Sequence, residues 1–555
     1  MSIRKRMHRW LAIPLAIAIL VPASAMVGGV ATAQDSEDSG GTFVAAWIGP
    51  CCLDVDTLQP LSAGGDYHWW NKIYGRLFTY TVANQQYDQL VGDHATDWSV
   101  SDDGLTWTIN LRDGITWHDG EPFTADDVKF TLEMCADPVA NAPGNCVWSF
   151  SPIEGIDGIK AGDSTDAAGI KVVDDLTLEI TTSSPNALIP DLLSEIFLLP
   201  EHAVGAIPAA DRGTSEYWQN QQIGTGPFKW SNYSPGQSIE LEGFEDYWRG
   251  APKLDGIIRR QFDNVASALL AFEAGEIDMT YVTADEVARL EDNGVGTVLP
   301  GPSGVDNVIQ FNALKRPDLI NPLFRSAALK AIDRQSIVDG IYGGAAEIVP
   351  CLYGNPNLTA GVEPQAFDPE GAKADLEASG VDVNAIGELV FDTYYEDQLS
   401  GNVMTAIAQN WSDILGLNVR IEQMQSTPWV NKYYAEGDSD VSFFGAANGP
   451  TGNRAFQYFH SDAAYPTGNN GWTGWNYSNP DLDAALDSAA GEFDPAAQNA
   501  LYQQACGIMN ADLPWLPLWQ SVRYHIVSDA MENVILIPAA GGGTYYDAVE
   551  NWVKN

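Results

Sequence analysis

The sequence predicts an α/β protein built from more than one compact unit, and three observations carry that expectation. Stretches with helical spacing alternate with short apolar strands along the second half of the chain. Hydrophobic residues make up 45%, with Trp 18, Tyr 21 and Phe 19, which is ample core material. At roughly 150 residues per domain, 555 residues exceed what one core organises. The balance of 28 Lys+Arg against 74 Asp+Glu gives a net charge of −46. That charge argues against nucleic acid and the anionic membrane surface as partners, because both are held by basic faces.

Arg4, Lys5, Arg6 and Arg9 precede an apolar run from Leu11, and Ala31-Thr32-Ala33 supplies small residues at a cleavage site before Gln34. Residues 1–33 therefore read as an export signal, with a retained membrane anchor as the competing reading. Loss of its four basic residues takes the net charge to −50. Residues 34–41, QDSEDSGG, read as a flexible acidic tether, and folded structure is expected from about Thr42. An exported chain favours disulfides. Of Cys51, Cys52, Cys135, Cys146, Cys351 and Cys506, the expected pair is Cys135 with Cys146, across a short loop containing Pro and Gly. CxxC and HExxH spacings are absent, so no metal and no cofactor is assigned.

Thr106–Leu111 alternates polar and apolar residues between the turns Asp102-Asp103-Gly104 and Asp113-Gly114, which predicts an antiparallel strand. Thr124, with Asp127 three residues on, predicts a capped helix start. Strands are expected at 176–181, 226–230 and 238–242, and helices at 265–274 and 284–290. Gly301–Gly304 reads as a break, after which helices dominate. Asn321-Pro322 and Asn479-Pro480 each place a cap before the residue best tolerated at a first helical position. Further helices are expected at 335–342 and 402–414, and a strand at 418–423.

The order of motifs resembles the extracellular solute-binding proteins, family 5, of ABC transporters. The resemblance rests on Gly92–Gly114 continuing through Trp117-His118-Asp119-Gly120 to Val128, on Ile223-Gly224-Thr225-Gly226-Pro227-Phe228 with Asp246-Tyr247-Trp248, on Phe311-Asn312 with Arg325–Arg334, and on Tyr477–Asp483. It covers the chain from about Gly41 onward. It implies a two-lobed periplasmic-binding-protein type II clamp with an extra subdomain: lobe I over 42–304, lobe II over 305–520, and a C-terminal return to lobe I over 521–555. It further implies a monomer, without enzymatic activity, that captures a peptide- or oligosaccharide-sized solute between the lobes. The loaded clamp would then dock on a membrane permease, in the periplasm or at the cell surface.

Peptide-binding relatives place an Asp of lobe II against the peptide ammonium, and here the matching stretch Phe443–Pro450 offers Ala447 or Asn448. The Arg that some relatives use for the carboxylate end is replaced by Tyr394-Tyr395-Glu396-Asp397-Gln398. A free dipeptide held at both ends is therefore disfavoured, since a buried ammonium without a counterion costs several kcal/mol. The expected ligand-binding residues are Tyr67, Trp69 and Trp70 in lobe I, and Glu396, Asp397, Gln398, Trp429, Phe444, Asn448, Trp472 and Trp475 in lobe II. The indoles would serve as flat platforms for sugar rings or for an amine-bearing ligand, and about half of them are expected to be core. Two rival functions are a secreted glycosidase-like hydrolase, for which no GxSxG or HExxH pattern speaks, and a peptide- or sugar-sensing receptor without transport.

Overall fold

The computed structural model describes residues 40–48, 58–61, 67–83, 86–140, 152–313, 315–353, 355–449, 451–461, 477–538 and 544–555. The export signal, most of the acidic tether, Cys51, Cys52 and Cys146 lie outside the described residues, as do Trp472 and Trp475. The chain from Ser39 onward forms one compact unit. No helix among the described residues is long and apolar enough to cross a membrane.

Among the described residues the frame is built by β1 (Thr42–Ile48), β2 (Phe78–Ala83), β3 (Gln86–Gly92), β4 (Ala95–Val100), β5 (Thr106–Leu111), β6 (Ile170–Asp174), β7 (Thr177–Thr181), β8 (Phe228–Ser234), β9 (Ser238–Gly243), β10 (Gly256–Phe262), β11 (Met279–Val282), β12 (Thr297–Phe311), β13 (Ala346–Ile348), β14 (Glu388–Thr393), β15 (Asn418–Gln423), β16 (Val441–Ala447) and β17 (Leu516–Val527). The main sheet runs β15-β14-β16-β12-β17-β11-β1-β10-β9-β8, with β13 on β17. The pairs β14/β15, β14/β16 and β1/β10 are parallel, as the strand–helix alternation requires. A separate sheet of order β4-β5-β7-β6 carries the first signature segment, and β2 pairs with β3.

Most elements start where the sequence places them. Asn321 and Asn479 cap the helices Pro322–Lys330 and Pro480–Ala490 by accepting from backbone N–H groups of the first turn. The helix expected at 402–414 starts earlier, as Gln398–Leu415, because Asp397 caps it. Gly301–Gly304 differs from its expectation. It is no break but the middle of β12, and the irregularity it introduces is a register shift against β17 between Pro302 and Asp306.

The signature segments serve the fold. Asp127 accepts from Thr124 N at 3.0 Å, Glu201 N at 2.9 Å and Trp117 Nε1 at 3.1 Å, tying a helix start, a turn and a distant loop together. Asn312 donates to Gly437 O and Ser439 O at 2.8 and 2.7 Å, which closes the end of β12 onto the loop before β16. Gly224 must be glycine, because a Cβ there would run into the carbonyl of Ile73.

Strand alternation splits the cores. Ile309, Phe311, Val441 and Phe443 pack on one face of the β12/β16 pair with Phe391, Trp411 and Trp519. Val308, Phe444 and Ala446 pack on the other with Trp515, Tyr458, Cys351 and Cys506. A different pair of clusters gathers residues 43–290 with Ile526, Val527 and Trp552. Strand β17 thus feeds one set of cores with Leu516, Leu518 and Trp519 and the other with Ile526 and Val527. Cys351 and Cys506 form a disulfide bridging 155 positions of sequence. Cys135 is disulfide-bonded, and its expected partner Cys146 lies outside the described residues.

Candidate functional site

The site is built on the β12/β16 pair where β12 leaves regular register with β17. Asn448 follows the last residue of β16, and its N–H is held by Gly304 O at 2.9 Å. Its side-chain Nδ2 donates to Asp306 Oδ1 at 2.8 Å. Asp306 is fully buried, and its Oδ2 has no hydrogen-bond or ion-pair partner among the described residues. Alternation places Asp306 and Val308 of β12 on the same face as Phe444, Ala446 and Asn448. Across four neighbouring strands, Ala446, Asp306, Gln520 and Glu347 stand directly opposite one another. Along that row Asp306 is buried, Gln520 half-buried and Glu347 exposed. Burial pushes the Asp306 carboxyl up to about 7; the Asn448 hydrogen bond opposes the shift, and the charge of Glu347 adds to it.

The other face of the same strands is aromatic. Tyr394 and Tyr395 lie 4.4 Å apart by ring centroid, and Tyr395 packs 5.6 Å from Phe443. Gly445 is required beneath them, because a Cβ there would collide with the Tyr395 hydroxyl and Val305.

A second polar cluster joins the segment 191–195 to the segment 454–457. Arg454 reaches Glu195 at 2.8 Å across 259 positions of sequence, with side chains only 7% and 16% exposed. Beside it Tyr80 donates to Asp191, whose carboxyl is pushed up to about 7 by burial and then by the charge of Glu195. Ala187 N donates to Ala490 O at 2.7 Å in the same region.

Few of the expected ligand-binding residues come together. Trp69 and Trp70, each 2% exposed, are packed in the core that contains β1, so neither offers a face to a ligand in this conformation. Trp429 is also 2% exposed: it stacks on Tyr433 at 4.5 Å, lies 5.9 Å from Phe444, and donates Nε1 to Asp392 at 3.0 Å. Trp429 and Phe444 are thus parts of one aromatic core rather than platforms. Asp397 caps a helix, accepting from Ser400 N and Ser400 Oγ at 2.8 Å each, while Glu396 and Gln398 are exposed beside it. Tyr67 opens the helix Tyr67–Ile73. Among the described members of the set, Asn448 is the one that hydrogen-bonds to Asp306. Asp306 escaped the sequence reading because one acid among 74 carries no information.

Residues 89–494 match the sequence profile of the bacterial extracellular solute-binding proteins, family 5. A candidate ABC transporter peptide-binding protein of Brucella ovis is 32% identical over 502 residues, covering 89% of this chain and 90% of that one. The structure is similar to that of the oligopeptide-binding protein AppA of Bacillus subtilis in complex with a nonapeptide, with a TM-score of 0.77, 20% identity and coverage of 93% and 99% of the two chains. It is equally similar to NikZ of Campylobacter jejuni in complex with Ni(L-His), at TM-score 0.77, 20% identity and coverage of 92% and 99%. The α/β architecture is that of the periplasmic binding proteins, and the chain belongs to the bacterial extracellular solute-binding proteins, family 5.

Proposed function

We propose that this protein is the solute receptor of an ABC importer, working outside the cytoplasm, and that its solute is a short peptide. The carrying observation is the crossing of β12 and β17, each of which feeds both sets of cores or runs between them. In this reading residues 42–304 with 521–555 form one lobe and 305–520 the other, and the two strands are the hinge. The register shift at Pro302–Asp306 gives that hinge a place to bend, because a bulge interrupts the ladder without unpairing the strands. The Arg454–Glu195 pair and the Ala187–Ala490 hydrogen bond join the lobes away from the hinge, as a closed clamp requires. A loaded clamp would then present a surface to a permease, with the ligand's differential affinity driving closure.

Peptide is favoured as cargo by the name of the Brucella relative and by the bound nonapeptide of the Bacillus structure. An oligosaccharide is less well supported, because the three described indoles expected as sugar platforms are buried. Thermal unfolding with pools of synthetic peptides of two to nine residues, with maltooligosaccharides and with a nickel–histidine mixture tests the reading. The peptide pool alone is expected to raise the Tm. A shift with sugars or nickel–histidine and none with peptides would replace it.

A further inference from the structure

Away from the hinge, the lobes proposed above meet along a seam whose two sides are each fixed by bonds of their own. On the lobe I side, Trp107 Nε1 donates to Asn186 O at 3.0 Å, Thr182 N donates to Leu105 O at 2.9 Å, and the Asn186 carboxamide accepts from Leu188 N at 2.8 Å. These bonds fasten the segment 182–188 to β5 and to the turn that contains Gly104. On the lobe II side a short loop joins the helices Pro480–Ala490 and Pro495–Asp512. Gln498 Nε2 pins that loop by donating to Ala489 O at 3.0 Å and Glu492 O at 3.1 Å.

Two kinds of contact cross the seam. Phe493 is 41% exposed and belongs to none of the hydrophobic clusters among the described residues, yet its ring covers Gly104 and Pro185 and lies 6.1 Å from the ring of Trp107. A Cβ on Gly104 would stand 3.0 Å from the Phe493 ring, so this glycine seats the phenylalanine as well as supplying the turn with its φ of 73°. Beside it Ala490, whose helix otherwise packs in a lobe II core, packs against a lobe I core and accepts from Ala187 N at 2.7 Å. The other contact is ionic. Arg454 is aimed by Gln457 Oε1 at 2.9 Å and reaches Glu195 Oε2 at 2.8 Å, while Arg76 Nη1 donates to the neighbouring Ser194 O at 3.3 Å. Both lobes carry more acid than base and repel at long range, so these arginines stand where that repulsion must be overcome. The apolar contact is non-directional and draws the lobes together; the ion pair, costly to bury in any other alignment, selects this one.

We infer that Phe493 over Gly104 and Arg454 on Glu195 form a latch by which the clamp closes through contacts of the chain alone, without solute. The inference rests on the two-lobed receptor reading above. Solute then supplies only the remainder of the closing free energy, and opening, for entry or for release, has to break the latch first.

The test compares the mature full chain with Phe493→Ala, with Arg454→Glu, and with the charge exchange that combines Arg454→Glu and Glu195→Arg. Small-angle scattering reads the separation of the lobes, with and without an equimolar pool of synthetic peptides of two to nine residues. Hydrogen exchange reads the Ala187 N–H, whose acceptor lies across the seam. Wild type without peptides is expected to scatter as the closed structure. Each single variant is expected to show a larger radius of gyration and roughly tenfold or faster Ala187 exchange, and to close again with peptides; the charge exchange restores the wild-type values. Phe493→Ala alters an exposed ring and carries the test if Arg454→Glu fails to fold. Wild type that is open without peptides and closed by them overturns the latch and leaves the receptor reading standing. Equal scattering by wild type and both single variants overturns the latch, even with faster Ala187 exchange, which would then be a change within the loop. A charge exchange that stays open overturns the ionic half of the latch. Single variants that open and are not closed by peptides keep the latch and overturn the peptide reading.

Discussion

Two fully buried aspartates stand two strands apart in the main sheet and are treated in opposite ways. Asp392 of β14 is charge-paired: Trp429 Nε1 donates to Oδ1 at 3.0 Å, Ser442 Oγ donates to the same oxygen at 2.5 Å, and Lys432 Nζ forms an ion pair with Oδ2 at 2.9 Å. Asp306 of β12 has one neutral donor and an unpartnered oxygen. Both sit beside the same aromatic core, so burial alone does not set how an acid is accommodated. The difference lies in the partners. A carboxylate paired with a lysine within the chain holds that chain together, whereas one left incomplete at a bulge in a crossing strand takes up a proton instead.

That contrast can be broken most severely at Asp392. Asp392→Ala leaves the Trp429 N–H and the Ser442 hydroxyl without their acceptor and Lys432 with Glu422 only, and should lower stability by about 3–5 kcal/mol in urea unfolding. A loss near zero would show that the network is ornamental. Next in size is the pH dependence due to Asp306. Its carboxyl holds a proton to higher pH when folded than when unfolded, so its favourable contribution is complete below the ordinary carboxylate range and is lost as pH rises toward about 7. The difference in unfolding free energy between wild type and Asp306→Asn should therefore move by roughly 2–4 kcal/mol between pH 4 and pH 8, in favour of the variant at high pH. Asp191 shifts in the same direction but cancels in that difference. A pH-independent difference would return Asp306 to the class of Asp392. Smallest is Trp429→Phe, which keeps the stack on Tyr433 and removes one donor from Asp392. It should cost about 2 kcal/mol while leaving peptide affinity unchanged. A loss of affinity at constant Tm would make Trp429 the platform that its burial argues against.

Much of the fold was legible because its signals are local. The caps at Asn321 and Asn479 and the alternation of Thr106–Leu111 and Asn418–Gln423 depend on neighbours within a few residues, and the elements form where those neighbours stand. Gly301–Gly304 misled for the same reason. Glycine and proline locally spell a break, but pairing with β16 and β17 on either side carries the strand through it. The aromatic residues misled differently. An indole suits a sugar face or a core equally well, and only the packing of Trp69, Trp70 and Trp429 chose the core.

By itself the sequence determined the family, the α/β class and the structural roles of the signature turns and caps, because short-range backbone chemistry and residue order decide these. Tertiary structure alone decided that Cys351 meets Cys506 across 155 positions, and that Asp306 meets Asn448 across 142 while its other oxygen stays unpaired. The reason is physical: burial and the completeness of a hydrogen-bond shell are properties of a folded neighbourhood, and in a chain with 74 acidic residues no local pattern marks a carboxylate that folding leaves incomplete.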